Sequence, residues 1–193
     1  LFLKNSIDGK FLNKKFSKKL SGNYQKYFNA VKNEIKNPTK TLHVLNSNFR
    51  LNLKIQELNK FKKFKKIVII GMGGSILGAE AIYDFFKKKI KKNIYFLDNL
   101  DEEKVHDLKT KINNKTLLLI ISKSGNTIET LSNSFALKVL KKNSKNVIII
   151  SEKKDNLLFS LAKKYKLFYI EHKNYIGGRY SVLSEVGLVP AYL

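Results

Sequence analysis

The feature that most constrains the fold is an alternation, from residue 66 onward, of short apolar runs with amphipathic segments. Five runs rich in β-branched and aromatic residues occur at 67–70, 94–97, 117–121, 147–150 and 167–170. Helical spacing of apolar residues separates them at 75–89, 102–112, 127–141 and 156–165. Because the runs are apolar on both faces and alternate with helices, they predict an α/β fold: a doubly wound, five-stranded parallel sheet flanked by helices.

The segment before this alternation is rich in lysine and has helical periodicity. Its apolar residues recur at helical spacing at Tyr24, Tyr27, Phe28 and Val31. We expect these side chains to pack onto a core. Asn46 and Ser47 predict the cap of a second helix that runs to about Asn59. The sequence thus predicts a helical extension over 1–65 and a single domain over 66–193.

The charge of the chain raises the question of a polyanionic partner. The formal net charge is +23, yet Arg50 and Arg179 are the only arginines. Proteins that contact bases and phosphates rely on the planar fork of arginine, so we expect solvated lysine faces and no nucleic-acid partner. The alternative, binding of nucleic acid through charge, predicts an affinity that falls steeply with salt.

Other counts exclude classes of protein. The absence of cysteine excludes disulfides and thiol catalysis, and the three scattered histidines predict no metal site. No apolar run is long enough to span a membrane and no signal peptide is evident, so we expect a cytoplasmic protein without a membrane partner. The chain begins with Leu1 and its single methionine is Met72. We therefore expect that the chain is not a complete reading frame.

The first segment that could bind a ligand is the glycine-rich turn at 71–78, after the first run. Glycines allow positive φ and close approach of the backbone to a ligand, and Gly74 and Ser75 precede a predicted helix. A dinucleotide site is an alternative, with Asp98 as a ribose ligand, although the third glycine of that fingerprint falls on Ile76. A purely structural turn that permits tight packing is a further alternative.

The second segment, 122–130, follows the third run. Its polar residues stand at the start of a predicted helix: Ser122, Lys123, Ser124 and Thr127. Hydroxyl groups, backbone N–H groups and the positive end of a helix dipole suit a phosphate monoester. The alternative is helix capping, with Asn126 and Glu129 as a capping box.

The third segment, 176–184, contains one of the two arginines. Arg179 follows a pair of glycines, and its rigid charged fork suits a developing oxyanion. An ordinary ion pair with Glu185 is the alternative. Glu185 itself lies in a predicted helix and has no predicted catalytic role.

Taken together, the three segments resemble the signatures of the glucose-6-phosphate isomerase family. Residues 71–78 resemble its Gly-Ile-Gly-Gly-Ser-x-x-Gly element, with Met72 in place of isoleucine. Residues 122–130 resemble its Ser-Lys-(Ser/Thr)-x-x-Thr-x-Glu-Thr phosphate loop, and residues 177–184 resemble its Gly-Gly-Arg-(Tyr/Phe)-Ser signature. The resemblance implies a sugar isomerase (SIS) fold in a cytoplasmic enzyme of glycolysis and gluconeogenesis. This enzyme interconverts glucose 6-phosphate and fructose 6-phosphate without a metal or organic cofactor.

The resemblance also implies roles for single residues. Ser122, Ser124 and Thr127 match phosphate-contacting hydroxyls, and Lys123 matches a residue that contributes through its backbone. Gly74 and Ser75 match contacts to the sugar. Arg179 matches the arginine that stabilises the cis-enediolate.

Proton transfer between neighbouring carbons also needs a carboxylate base. In the family this base is a glutamate of a second SIS domain, a histidine comes from the partner subunit of a homodimer, and a lysine lies near the C-terminus. We expect all three to lie beyond Leu193, so that this chain alone is inactive. A non-catalytic SIS module that senses sugar phosphates, and a bifunctional phosphoglucose/phosphomannose isomerase, are the alternatives.

Overall fold

The structure, a computed structural model, describes residues 14–193, with side chains from residue 22 on. Residues 1–13 of the predicted extension lie outside the described residues. In chain order the elements are α1 (Lys14–Lys36), β1 (Lys66–Ile70), α2 (Leu77–Phe86), β2 (Asn93–Leu97), α3 (Glu102–Lys111), β3 (Thr116–Ile121), α4 (Ile128–Ala136), β4 (Val147–Ser151), α5 (Leu157–Tyr165), β5 (Phe168–Glu171) and α6 (Glu185–Tyr192). Short 3₁₀ helices lie at Thr41–Leu45, Ile55–Phe61, Gly73–Ser75 and Gly178–Tyr180.

The five strands form one parallel sheet in the order β2-β1-β3-β4-β5. Every predicted strand is confirmed to within one residue at each end. The strands β1, β3 and β4 lie inside the sheet, and nearly all of their side chains are buried. Burial on both faces explains their uninterrupted apolar sequence.

Helices cover both faces of the sheet, as the doubly wound prediction requires. On one face Ile67 and Ile69 pack with Leu58 of the Ile55–Phe61 helix and with Val186 of α6. On the other face a second cluster joins alternate strand residues to α3 and α5: Val68, Ile70, Val105 and Leu158. The alternation along β1 follows from the two-residue repeat of a strand.

The strand order also determines where a ligand can bind. The chain runs from β1 outward to β2 and then returns to β3 on the other side of β1. In open parallel sheets the crevice at such a reversal, outside the carboxyl ends of the strands, is the usual binding site. The loops after β1 and β3 flank this crevice.

The predicted helix from Asn46 to about Asn59 is wrong. Asn46 instead ends the Thr41–Leu45 helix, where its side chain donates to Ile35 O (3.1 Å) and accepts from Asn48 N (2.9 Å). Such local bonds from an asparagine side chain compete with helical hydrogen bonding. The next helical turn begins only at Ile55.

The predicted packing of the apolar residues of α1 is also wrong for most of them. Tyr24, Tyr27 and Val31 are 60 %, 67 % and 42 % exposed, whereas Phe28 is half-buried. Tyr24 and Phe28 stack on each other along the helix. Within the described residues, α1 packs mainly against Thr41–Leu45, so most of its apolar stripe has no core to cover.

Helix α4 ends at Ala136, earlier than the predicted 141. Lys138 has a φ of 53°, in the left-handed region that terminates helices. None of the helices in the described part of the chain combines the length and apolar character that a membrane crossing requires.

Candidate functional site

The structure brings together the three hydroxyls that the sequence singled out after β3. Thr127 Oγ1 lies 2.8 Å from Ser122 Oγ and 3.3 Å from Ser124 Oγ, and the two serine oxygens are 3.5 Å apart. Ser122 is buried, Thr127 is half-buried and Ser124 is exposed, so the cluster opens toward solvent on one side. We call the segment 122–127 the phosphate loop, after the ligand that the sequence predicts for it.

The phosphate loop leads into the N-terminus of α4. Thr127 is the N-cap residue, yet its side chain forms no capping hydrogen bond and remains in the hydroxyl cluster. The N–H groups of Gly125 and Asn126 donate to Ser122 Oγ (3.2 Å) and Ser124 Oγ (3.3 Å). These two bonds hold the serine oxygens in place and leave their hydroxyl hydrogens to donate, so hydroxyl donors and a helix N-terminus converge, which suits an anion.

The capping-box alternative for Asn126 and Glu129 is wrong. Asn126 Oδ1 accepts from Leu157 N (2.8 Å), at the start of α5, instead of capping α4. Gly125, at a φ of 71°, packs so closely on Asn156 that a Cβ there would lie 1.8 Å from Asn156 Oδ1. The phosphate loop therefore rests on the N-terminus of α5.

Lys123 does not direct its charge into the hydroxyl cluster. Its ammonium donates to Asn174 O (2.8 Å) and lies 3.4 Å from Glu152 Oε1. Its backbone carbonyl accepts from Glu152 N (3.0 Å). The sequence analysis missed Glu152, although it directly follows β4 at the carboxyl edge of the sheet.

The glycine turn after β1 lies beside the phosphate loop. A Cβ on Gly71 would be only 3.0 Å from Ile121 O, the last residue of β3. Asp98, the ribose ligand of the dinucleotide alternative, is paired with Lys104 at 3.0 Å. The turn thus lies at the crevice between the carboxyl ends of β1 and β3.

The third segment folds back onto this turn. A Cβ on Gly74 would lie 2.3 Å from the carbonyl carbon and oxygen of Gly178, and Ser181 Oγ donates to Gly74 O (3.1 Å). Gly74, Ser75 and Arg179 are therefore held at one place, although more than 100 residues separate Gly74 from Arg179 in sequence. All three predicted segments meet at the carboxyl edge of the sheet.

Arg179 is exposed, and the ion pair with Glu185 considered from the sequence is wrong. Glu185 is fully buried, accepts from Asn52 N (2.8 Å) and lies 3.7 Å from Lys173 Nζ. No carboxylate among residues 22–193 is within ion-pair distance of Arg179. Its guanidinium is therefore exposed and free of an ion pair with any of these carboxylates.

Buried ionisable groups adjoin the phosphate loop on the side of β4 and β5. Burial by itself would raise the pKa of the Glu152 carboxyl, but Lys154 and Lys123 lower it below its ordinary value of 4.5. Burial lowers the pKa of His172 below 6.5. Glu152 is thus a charged and His172 a neutral neighbour of the loop near neutral pH.

Comparisons with known proteins agree with the three segments. The family model described as phosphoglucose isomerase matches residues 30–193. The chain is 41% identical over 160 residues to a probable glucose-6-phosphate isomerase of Methanococcus maripaludis, a match that covers 77% of this chain and 36% of that protein. This chain spans about a third of the length of the curated relatives that head the comparison.

Solved structures share the fold. A glucose-6-phosphate isomerase from Chlamydia trachomatis superposes with a TM-score of 0.59 at 27% identity, over 72% of this chain and 29% of that chain. The sugar isomerase domain of an RpiR transcription factor from Sphaerobacter thermophilus superposes with a TM-score of 0.52 at 12% identity, over 83% and 84% of the two chains. The second likeness shows the fold alone, and the predicted SIS-type α/β fold is confirmed.

Proposed function

This chain belongs to the phosphoglucose isomerase family, and from that premise we propose that it supplies the sugar-phosphate-binding part of a glucose-6-phosphate isomerase. The reaction is the aldose–ketose interconversion of glucose 6-phosphate and fructose 6-phosphate through a cis-enediolate. It needs no metal or organic cofactor, because a base and a stabilised oxyanion suffice to move a proton between neighbouring carbons. The proposal places the enzyme in the cytoplasm as a homodimer.

The observation that carries the proposal is the convergence of Ser122, Ser124 and Thr127 at the N-terminus of α4. A phosphate monoester offers three acceptor oxygens, and the three hydroxyls and the helix N-terminus supply donors to them. Lys123 contributes through its backbone, since its ammonium is held by Glu152 and Asn174. Fixing the phosphate holds the sugar in place, so that remote binding energy is used at the reacting carbons.

Gly74, Ser75 and Arg179 act on the sugar end of the substrate. The missing side chain at Gly74 lets the turn Gly178–Tyr180 pack directly on this backbone, which brings Arg179 next to Gly74 and Ser75. Arg179 presents its guanidinium to the enediolate oxygen, where negative charge develops as the proton leaves carbon. The carboxylate that takes the proton is not among the residues of this site.

A binding titration with a matched threonine control tests the proposal. Calorimetric titration of the chain with fructose 6-phosphate should show binding that unphosphorylated fructose lacks. Thr127→Ala should weaken binding by about 1–3 kcal/mol, the scale of a lost hydrogen bond to a charged group. Thr110→Ala, which removes a hydroxyl bonded only to Asp107 O on α3, should leave the affinity unchanged.

Two outcomes would contradict the proposal. One is an equal affinity for the sugar with and without phosphate. The other is an affinity of the Thr127→Ala chain that matches the wild type. Binding to a single-stranded nucleic acid that ignores fructose 6-phosphate and falls steeply with salt would favour the charge-driven alternative instead.

A further inference from the structure

Glu152 is a buried carboxylate next to the phosphate loop, and the proposed chemistry does not use it. It is the first residue after β4 and is only 8 % exposed. Strands β4 and β3 are neighbours, so Glu152 lies beside Lys123, the residue after Ser122. A buried carboxylate so close to a site for a dianion disfavours the ligand through charge. Its presence there needs another reason.

The contacts of Glu152 supply that reason, since they join it to Lys123 twice. Glu152 N donates to Lys123 O at 3.0 Å, and Glu152 Oε1 lies 3.4 Å from Lys123 Nζ. Glu152 Oε2 is 2.6 Å from the ammonium of Lys154. Lys123 Nζ also donates to Asn174 O (2.8 Å), in the loop after β5. The carboxylate thus fixes a lysine that ties the phosphate loop to the loops after β4 and β5.

The rest of the segment 152–158 supports the phosphate loop along its length. Leu158 N donates to Gly125 O (3.1 Å), and Leu157 N donates to Asn126 Oδ1 (2.8 Å). Asn156 packs on Gly125 and is itself held by a hydrogen bond from its Nδ2 to Glu152 O (2.8 Å). Within this support, the Glu152–Lys123 pair is the charged contact that anchors the loop at its start, beside Ser122.

We propose that Glu152 is a positioning residue for sugar-phosphate binding: by holding Lys123 it keeps the phosphate loop in the conformation in which Ser122, Ser124 and Thr127 converge. The inference rests on the proposed function, because it concerns the same phosphate site. Glu152 does not touch the ligand. It acts through the backbone of Lys123, which leads directly from Ser122 to Ser124.

The sign of one effect separates this role from simple electrostatics. Removal of a negative charge near an anion site, by charge alone, strengthens binding of the anion. Loss of a positioning contact weakens binding, because the hydroxyls must then be ordered when the ligand binds. Glu152→Gln keeps the size of the side chain and removes its charge, so the two views predict opposite changes.

Glu171 provides the matched control. It ends the neighbouring strand β5, lines the same cleft of about 290 Å³ as Glu152, and forms no ion pair among residues 22–193. Glu171→Gln therefore removes an equal charge from the same neighbourhood without releasing the phosphate loop. The pair of variants isolates the contact to Lys123.

The experiment measures the affinity for fructose 6-phosphate and the thermal unfolding midpoint of the 193-residue chain and its variants. We expect Glu152→Gln to weaken binding about tenfold, the factor that corresponds to one lost charge-assisted contact, and Glu171→Gln to leave binding equal or slightly tighter. Lys123→Met should weaken binding by a similar factor. The double variant should bind fructose 6-phosphate no more weakly than either single variant, because the two residues act as one unit.

The outcomes separate the inference from the function on which it rests. If the wild-type chain does not bind fructose 6-phosphate, the proposed function fails. If the wild type binds and Glu152→Gln binds as well or more tightly, the positioning role alone is overturned. The role is also overturned if the losses of binding free energy in the two single variants add up in the double variant. It is overturned as well if a lower unfolding midpoint accounts for the weaker binding of each variant, because general destabilisation would then explain the effect.

Discussion

His172 is a buried imidazole at the end of β5, one residue after Glu171. It is 1 % exposed, its Nδ1 lies 2.9 Å from Lys173 O, and its Nε2 has no hydrogen-bond partner among the described residues. Since a carbonyl only accepts, Nδ1 carries the proton and Nε2 is left as the bare nitrogen. Burial lowers the pKa of this imidazole, and the nearby Glu185 carboxylate only partly opposes that shift.

This lowered pKa predicts a loss of stability in mild acid. The unfolded chain binds a proton at His172 below its ordinary pKa of 6.5, whereas the folded chain does so only at lower pH. Stability should therefore fall as the pH decreases from 6.5 toward the folded pKa, and level off below it. Urea denaturation at about pH 7.5 and about pH 5.5 measures the change.

Two substitutions identify the source of that pH dependence. His172→Gln should flatten the change between the two pH values, whereas His106→Gln, at an exposed position on α3, should preserve it. The lowered pKa of Glu152 also makes the stability fall as the pH decreases, but only below 4.5, outside the range between the two measured pH values. A steep decline that survives His172→Gln would show that another group is responsible.

At the scale of elements, the contact between the turns Gly73–Ser75 and Gly178–Tyr180 assembles the site. The backbones approach so closely that a methyl group on Gly74 would lie 2.3 Å from the Gly178 carbonyl. Gly74→Ala must therefore push the two turns apart and move Arg179 away from the crevice. We expect a loss of about 1–3 kcal/mol in stability, typical of overpacking, together with weaker binding of fructose 6-phosphate.

A second glycine serves as the control for this prediction. Gly22 lies within α1, where an added Cβ meets nothing within 4 Å. Gly22→Ala should stabilise the chain slightly, by up to about 1 kcal/mol, since alanine favours the helix. Denaturation and titration of both variants would test the turn contact, and unchanged binding in Gly74→Ala would show that the turns can separate without cost to the site.

The elements themselves were largely predictable because their causes are local. The strands β1, β3 and β4 are buried on both faces, so their apolar runs have no other stable location in a domain of this size. The region 46–59 was predicted wrongly because helical periodicity says nothing about asparagine side chains that bond to nearby backbone. The exposed stripe of α1 shows that periodicity indicates a helix without indicating what covers it.

The three segments of the site could be found in the sequence, but the contacts that hold them together could be predicted only where the residues are close in sequence. Ser122, Ser124 and Thr127 lie within one turn, so their convergence follows from the loop alone. The approach of Gly178 to Gly74, and of Glu152 to Lys123, depends on strand order, which periodicity does not give. The rule that parallel strands carry function at their carboxyl ends would have pointed to Glu152 had it been applied to β4.

At the scale of the whole molecule, one group of lysines lies at the end of the sheet opposite the candidate site. A cleft of about 760 Å³ at the amino ends of the strands is lined by Lys63, Lys65, Lys66, Lys115 and Lys145, with asparagines between them and no carboxylate. The candidate site lies at the opposite, carboxyl edge. The net charge of +23 nevertheless raises the potential around the entire molecule and should speed the approach of an anionic sugar phosphate at low salt.

The described residues before β1 divide into a part that packs into the core and a part that lies outside it. Leu58, Phe61 and Phe64 are 1 %, 2 % and 7 % exposed and belong to the core beside β1. The backbone of Asn52 also satisfies one oxygen of the buried Glu185. In helix α1, by contrast, most apolar side chains of the described residues 22–36 are exposed.

Two shortened chains test this division. A chain of residues 37–193, which lacks α1, should unfold at nearly the same temperature as the full chain and bind fructose 6-phosphate with the same affinity. A chain of residues 66–193 loses three large core side chains, each worth about 2–5 kcal/mol, against a total stability of about 5–15 kcal/mol. It should therefore lack a cooperative thermal transition, as followed by circular dichroism. A folded, ligand-binding 66–193 chain would show that the sheet and its helices form a self-sufficient domain and that the core contacts of residues 52–64 are dispensable.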